Sequence, residues 1–191
     1  MKNKCLLIFI IFICFYSLIS PSNVYAASKS LTVANYSQER SNWCWVTAGQ
    51  IVAQYLRGTI YSQCTLYKAG KNTTTCVNEP GGFYDDMARV LKHGNVHVGI
   101  VGTALPPMFT IVEEIDKNKP IITRINWKSG GSVGHLLVIR GYDTNTGMVR
   151  FVYPKQSTSY TDKTSEYRIL AWSELKINNE WETTHARYQL D

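Results

Sequence analysis

Near Lys119 the hydrophobic pattern of this chain changes period, and that change restricts the folds open to it more than any other feature. Before it, apolar residues recur at helical spacing in three runs. These are Ala48, Ile51, Val52, Tyr55 and Leu56; then Phe83, Tyr84, Met87, Val90 and Leu91; then Met108, Ile111, Val112 and Ile115. Gly58 and Gly94 follow the first two runs as helix stops, and the third ends in a polar turn from Asp116 to Lys119. After it come short segments rich in β-branched residues. Lys119 to Trp127, Gly134 to Tyr142 and Met148 to Tyr153 read as strands, with Asp143 to Gly147 as the hairpin turn joining the last two. Tyr167 to Trp172 and Thr183 to Leu190 read as two more, separated by a helical turn at Ser173 to Lys176. With no repeat, low-complexity segment or linker, one α+β domain with a helical side and a sheet side is the economical arrangement.

Two stretches of the first half lack a clear period. Cys64 and Cys76 bracket TLYKAGKNTTT, which reads as a polar loop, and Glu79-Pro80-Gly81-Gly82 reads as a turn. A short apolar stretch from Val96 to Val101 precedes Leu105-Pro106-Pro107.

Upstream, Lys2 and Lys4 precede an apolar run from Cys5 to Ile19. About 15 residues is short for a membrane span, which needs about 20, and suits the core of a secretory signal. Val24, Tyr25 and Ala26 form a small-x-small site, so cleavage is expected before Ala27. Residues 1–26 are then a signal peptide and residues 27–191 a single secreted, extracellular domain with no stable membrane insertion. Removing 26 of 191 residues leaves 165, enough for one proper core.

Loss of Lys2 and Lys4 lowers the formal charge from +6 to about +4. Without a basic run or aromatic-basic interleaving, nucleic acid is not an expected partner, and the domain is expected to be a monomer. Of five cysteines, Cys5 and Cys14 leave with the signal. The odd remainder calls for one bridge and one free thiol: Cys64 and Cys76 are the natural pair, worth about 3 kcal/mol, and Cys44 stays reduced. There is no C-x-x-C and the four histidines are scattered, so neither a metal nor any other cofactor is expected. The N-x-S/T triplets at Asn35 and Asn72 count as chance matches unless the source glycosylates secreted proteins.

Cys44 begins the first helical run, where free backbone donors and the positive end of the macrodipole stabilise a thiolate. Most unpaired cysteines are small buried hydrophobes, so position alone decides nothing. Gln38 adds weight: six residues upstream, on the loop feeding the helix, its amide could converge with the Cys44 backbone N–H as an oxyanion hole. In the sheet half, His135 starts a strand directly after the glycine-rich loop Ser129 to Gly134, which permits close approach of an extended ligand. By itself His135 would read as a strand-capping histidine, and His93, His97 and His185 as structural ones. Paired with Cys44 as thiolate and imidazolium, it would protonate a leaving group and later activate water.

The run Q-x5-C-W at Gln38, Cys44 and Trp45, with Gly134-His135 leading into an apolar strand, resembles the papain-like cysteine peptidases. It is most similar to small secreted bacterial members and to the peptidase domains of bacteriocin exporters, over about Asn35 to Tyr188. The resemblance implies a two-lobed α+β fold, an N-terminal helical lobe bearing the cysteine and a C-terminal antiparallel sheet lobe bearing the histidine, with the active site between them. It implies peptide or protein substrates cleaved through an acyl-enzyme, with Gln38 as oxyanion donor, Cys44 as nucleophile and His135 as base. Such families place Asn or Asp on the strand after the histidine, commonly before a proline; here Tyr153 precedes Pro154. A hairpin centred near Asn145 sets His135 opposite about position 155, which makes Tyr153 and Gln156 the candidates for a third member. Asp143 is eight residues along the strand, about 26 Å, and out of reach. Two other uses of the scaffold stay open: non-hydrolytic binding of a peptide or surface polymer, and an amidase or acyl transferase using the same cysteine.

Overall fold

The structure, a computed structural model, describes residues 27–131, 133–157 and 166–191; the expected signal segment lies outside the described residues. In chain order the elements are β1 (Ser28–Ser30), α1 (Cys44–Arg57), α2 (Gln63–Lys71), α3 (Asp85–His93), β2 (Ile100–Gly102), α4 (Met108–Asp116), β3 (Ile121–Trp127), β4 (His135–Asp143), β5 (Met148–Tyr153), β6 (Glu166–Ala171), α5 (Trp172–Lys176) and β7 (Trp181–Tyr188). The fold is α+β, and its strands pair antiparallel throughout in the order β2-β7-β3-β4-β5-β6. β1 joins the far end of β4, where Ser30 faces Gly141.

The nearly continuous apolar run of β4 follows from its place. It is an interior strand covered on both faces, with Leu136, Leu137, Val138 and Ile139 all buried. The β4–β5 turn forms where Asp143 Oδ1 accepts from the Asn145 and Thr146 backbone N–H groups, and Gly147 takes the positive φ of 69° that the last turn position requires.

The run from Cys44 to Ala53 is buried without a break because α1 lies against β4 and is flanked by α2 and α3. A helix covered this widely loses its polar face, which is why its sequence reads apolar well beyond one stripe. It ends at Gly58 in the left-handed conformation.

The stretch between the two cysteines is not a loop over most of its length. Ser62 caps α2 by accepting from the Thr65 backbone N–H, Leu66 and Tyr67 are buried, and Asn72 ends the helix with φ 52°. Two apolar side chains anchor one turn, and capping with tertiary burial carries the rest; a weak local period hid both. The Cys64–Cys76 disulfide is formed, with a Cα–Cα distance of 5.7 Å. It ties α2 to the segment that receives the entry to α1: Trp43 Nε1 donates to the Val77 carbonyl, and Asn42 donates its backbone N–H to Asn78 Oδ1.

Smaller differences have similar causes. Phe83 and Tyr84 precede α3 instead of lying in it, Phe83 turned into the core and Tyr84 exposed. Only the end of the apolar stretch after His97 pairs, as β2 on β7. Trp172 begins α5 rather than ending β6, with its indole N–H on the Pro106 carbonyl. Among the described residues no helix is long and apolar enough to cross a membrane.

Candidate active site

Cys44 is the first residue of α1 and the free cysteine among the described residues; it is buried. Its thiol is met by the backbone N–H groups of Leu136, Trp45 and Cys44 itself, all of which favour the thiolate. Burial opposes them and prevails, pushing the thiol up to about 11. The helix N-terminus therefore acts on Cys44 in the expected direction, but desolvation outweighs it.

Leu136 follows His135, so the bond from its N–H to Cys44 sets the nucleophile against the start of β4. The His135 imidazole hydrogen-bonds the Pro154 backbone, a contact that favours its charged form, while its Nε2 is buried without a partner. The bond to Pro154 is thus made by Nδ1, which donates to the carbonyl and leaves Nε2 as the acceptor nitrogen. Burial again prevails, with the Arg168 charge adding to it, and lowers the imidazole to about 4. Burial thus favours the uncharged form of each group. This departs from the expected ion pair, because both groups sit out of water and neither charge alone offsets its desolvation.

Among the described residues no Asn or Asp orients His135. Its ring packs on Tyr153 at 4.6 Å between centroids and faces Trp127 at 6.2 Å, while Arg168 covers the Tyr153 ring at 4.0 Å. Tyr153 therefore touches the histidine by its face, and Pro154 holds the ring nitrogen. The β4–β5 register, with Val138 opposite Val152, extrapolates to position 155 opposite His135. There the ladder has ended and the Lys155 carbonyl accepts from the Gln38 N–H instead. Gln156 forms an isolated parallel bridge with Gln38, so it positions Gln38 rather than the imidazole. Asp143 lies at the far end of β4 beside Arg150.

Gln38 is brought beside the segment that follows Pro154, and its side chain is buried. Its amide nitrogen donates to the Arg40 and Ser41 carbonyls at 3.1 and 2.7 Å, and its Oε1 is buried without a partner. Both donor hydrogens are thus engaged within the loop.

The glycine-rich loop meets its requirement at two places. Gly130 and Gly131 have φ of 88° and 119°, and a Cβ at Gly134 would collide with the Ile125 carbonyl and lie 3.0 Å from Asn126 Oδ1. Trp45 fills the core, where its ring crowds Gly70 and Gly81, whereas Trp127 is half-buried and meets Trp181 edge-on. Trp127 also borders a 500 Å³ cavity lined by Lys128, Ser129, Asn179 and Glu180. A 520 Å³ cavity around Glu113, Lys117 and Asp191 shares no residue with the site. Among the described residues no group of His, Cys, Asp and Glu is placed to hold a metal. The remaining histidines lie elsewhere: His93 ends α3 edge-on to Tyr61, His97 sits beside Asp191, and His185 faces Phe83 and Tyr84. The groups that sequence reasoning missed are the Pro154 carbonyl, the Leu136 N–H and the Trp127 ring against His135. The first two are backbone atoms with no sequence signature.

An α+β antiparallel fold with a thiol at a helix start against a histidine at a strand start defines the class of papain-like cysteine peptidases. The chain belongs to the Peptidase_C39 like family, whose profile matches residues 30–188. Xylellain, a cysteine protease from Xylella fastidiosa, has a similar fold: the TM-score is 0.57 at 11% identity, covering 88% of this chain and 89% of that one. No curated protein matches.

Proposed function

We propose that this protein is a secreted cysteine endopeptidase, two-lobed in the papain manner, that cleaves peptide bonds through an acyl-enzyme. The observation carrying the reading is the buried, unpartnered Nε2 of His135 at the strand start to which the Cys44 thiol is bonded. An acceptor nitrogen out of water and without a donor is costly to keep unless a proton is to arrive there.

In this reading Sγ of Cys44 attacks the scissile carbonyl as its proton passes to His135 Nε2. The C–S bond forms, the carbonyl π pair moves to oxygen, and the Cys44 backbone N–H stabilises the oxyanion. His135 returns the proton to the leaving amine as the C–N bond breaks. Water then attacks the thioester, gives its proton to His135, and the thiolate leaves and recovers it. The Pro154 carbonyl and the Tyr153 ring orient the imidazole. Gln38 joins the oxyanion hole when its amide releases the Arg40 carbonyl, the longer of its two bonds. Residues 1–26 supply the secretory signal.

The test is a fluorogenic peptide library with products identified by mass. The expected outcome is turnover by the wild type and none by Cys44→Ala with an unchanged circular dichroism spectrum. Full activity in Cys44→Ala would refute the reading.

A further inference from the structure

Among the described residues, one charged side chain beside the nucleophile is left without a counterion. Arg124 lies on interior strand β3, paired with Leu136 of β4 on one side and His185 of β7 on the other. Its Nη1 donates to Thr184 Oγ1 at 3.1 Å, and among the described residues it has no ion pair. Three arginines have carboxylate partners, Arg168 with Glu166, Arg150 with Asp143 and Arg89 with Asp86, and buried Arg187 has the Val98, Phe83 and Tyr84 carbonyls. A half-buried guanidinium on an interior strand loses hydration, and an anion offsets that loss more fully than neutral acceptors do. Among the described residues none is supplied there.

Its location bears on the chemistry. Arg124 Nε would lie 3.1 Å from a Cβ at Gly134, the residue before His135, and Leu136 across from it carries the N–H that meets Cys44. The Arg124 charge reaches the thiol and favours its ionised form. Side chains alternate across a sheet, so His135, opposite Ile125, shares a face with Trp127, whereas Arg124 shares the other with Leu136. The leaving amine must meet His135. The acyl group is the part of a substrate bonded to Cys44 Sγ, the atom on which the Arg124 charge acts, so residues next to the acyl carbon lie within reach of Arg124.

We propose that Arg124 is a specificity-determining residue that selects peptides carrying Asp or Glu within the two residues on the acyl side of the scissile bond. This rests on the peptidase reading above. The carboxylate completes the ion pair that the fold leaves open, and the planar fork of the guanidinium suits two parallel N–H···O bonds.

The experiment compares peptide pairs identical except for Glu against Gln, or Asp against Asn, at those two positions. For the wild type kcat/KM is expected to favour the acidic member by about tenfold. The ratio is expected to fall to near one in Arg124→Gln and to reverse, in favour of Lys-bearing peptides, in Arg124→Glu. Equal rates for acidic and amide peptides in the wild type would overturn the proposal while leaving the peptidase reading intact. If no peptide is turned over, the peptidase reading fails. Binding of the same pairs to Cys44→Ala, followed by calorimetry, then decides the role of Arg124. Tighter binding of the acidic member, lost in Cys44→Ala/Arg124→Gln, supports it, and equal affinities overturn it.

Discussion

Replacing His135 by asparagine should change how stability depends on pH, and the size of the change follows from the site. The folded protein holds the imidazole at about 4 because burial disfavours its cation, against 6.5 for the free side chain. Above pH 6.5 the residue is neutral in both states and contributes nothing to this dependence. As the pH falls from 6.5 to about 4, the unfolded chain takes up a proton that the folded one refuses, so stability declines by 1.36 kcal/mol per pH unit. The loss amounts to about 3 kcal/mol and levels off below pH 4, where the folded state also protonates. Urea unfolding of wild type and His135→Asn across pH 7 to 3.5 measures it, because carboxylates and the other histidines are common to both and cancel in the difference. The variant should become relatively more stable by about 3 kcal/mol at the acid end. A constant difference, or an NMR titration of His135 near 6.5 or above, would refute the neutral resting pair and restore the thiolate-imidazolium form expected from sequence.

Gly134→Ala should lower kcat/KM by about a hundredfold and stability by about 1–3 kcal/mol, since its methyl meets the Ile125 carbonyl and pushes the start of β4 by about an ångström; wild-type kinetics and unfolding in this variant would show that the close approach is not needed. Removing the disulfide with Cys64→Ser/Cys76→Ser should cost about 3 kcal/mol and lower Tm by roughly 10 °C. Calorimetry checks this, and a drop below about 2 °C would mean that the segment at the entry to α1 is held by the Asn42 and Trp43 bonds alone.

The sequence by itself determined the parts of this protein whose cause is local. The 3.6-residue period from Cys44, the left-handed stop at Gly58, the Asp143 to Gly147 turn and the alternation around it place α1 and the β4–β5 hairpin within a residue or two. The odd cysteine count, with the polar loop that Cys64 and Cys76 bracket, singled out the bridge and the free thiol. Where local signal was weak, tertiary contact decided: α2 exists because Leu66 and Tyr67 are buried in the core, and β1 because its three exposed or half-buried residues pair with the open end of β4.

The state of the site was wholly a tertiary matter. Cys44 and His135 were legible as a pair, but whether they rest charged depends on how far each is withdrawn from water, which is set by packing among segments distant in sequence. The orienting partner of His135 turned out to be a main-chain carbonyl at Pro154 and the face of Tyr153, and a carbonyl is carried by every residue alike. Gln38, chosen for its amide, engages both donor hydrogens in its own loop because the Arg40 and Ser41 carbonyls turn inward there. Arg124 looked like one more charge in a strand. Only the antiparallel register that sets it between Leu136 and His185, away from any carboxylate among the described residues, gives it a role.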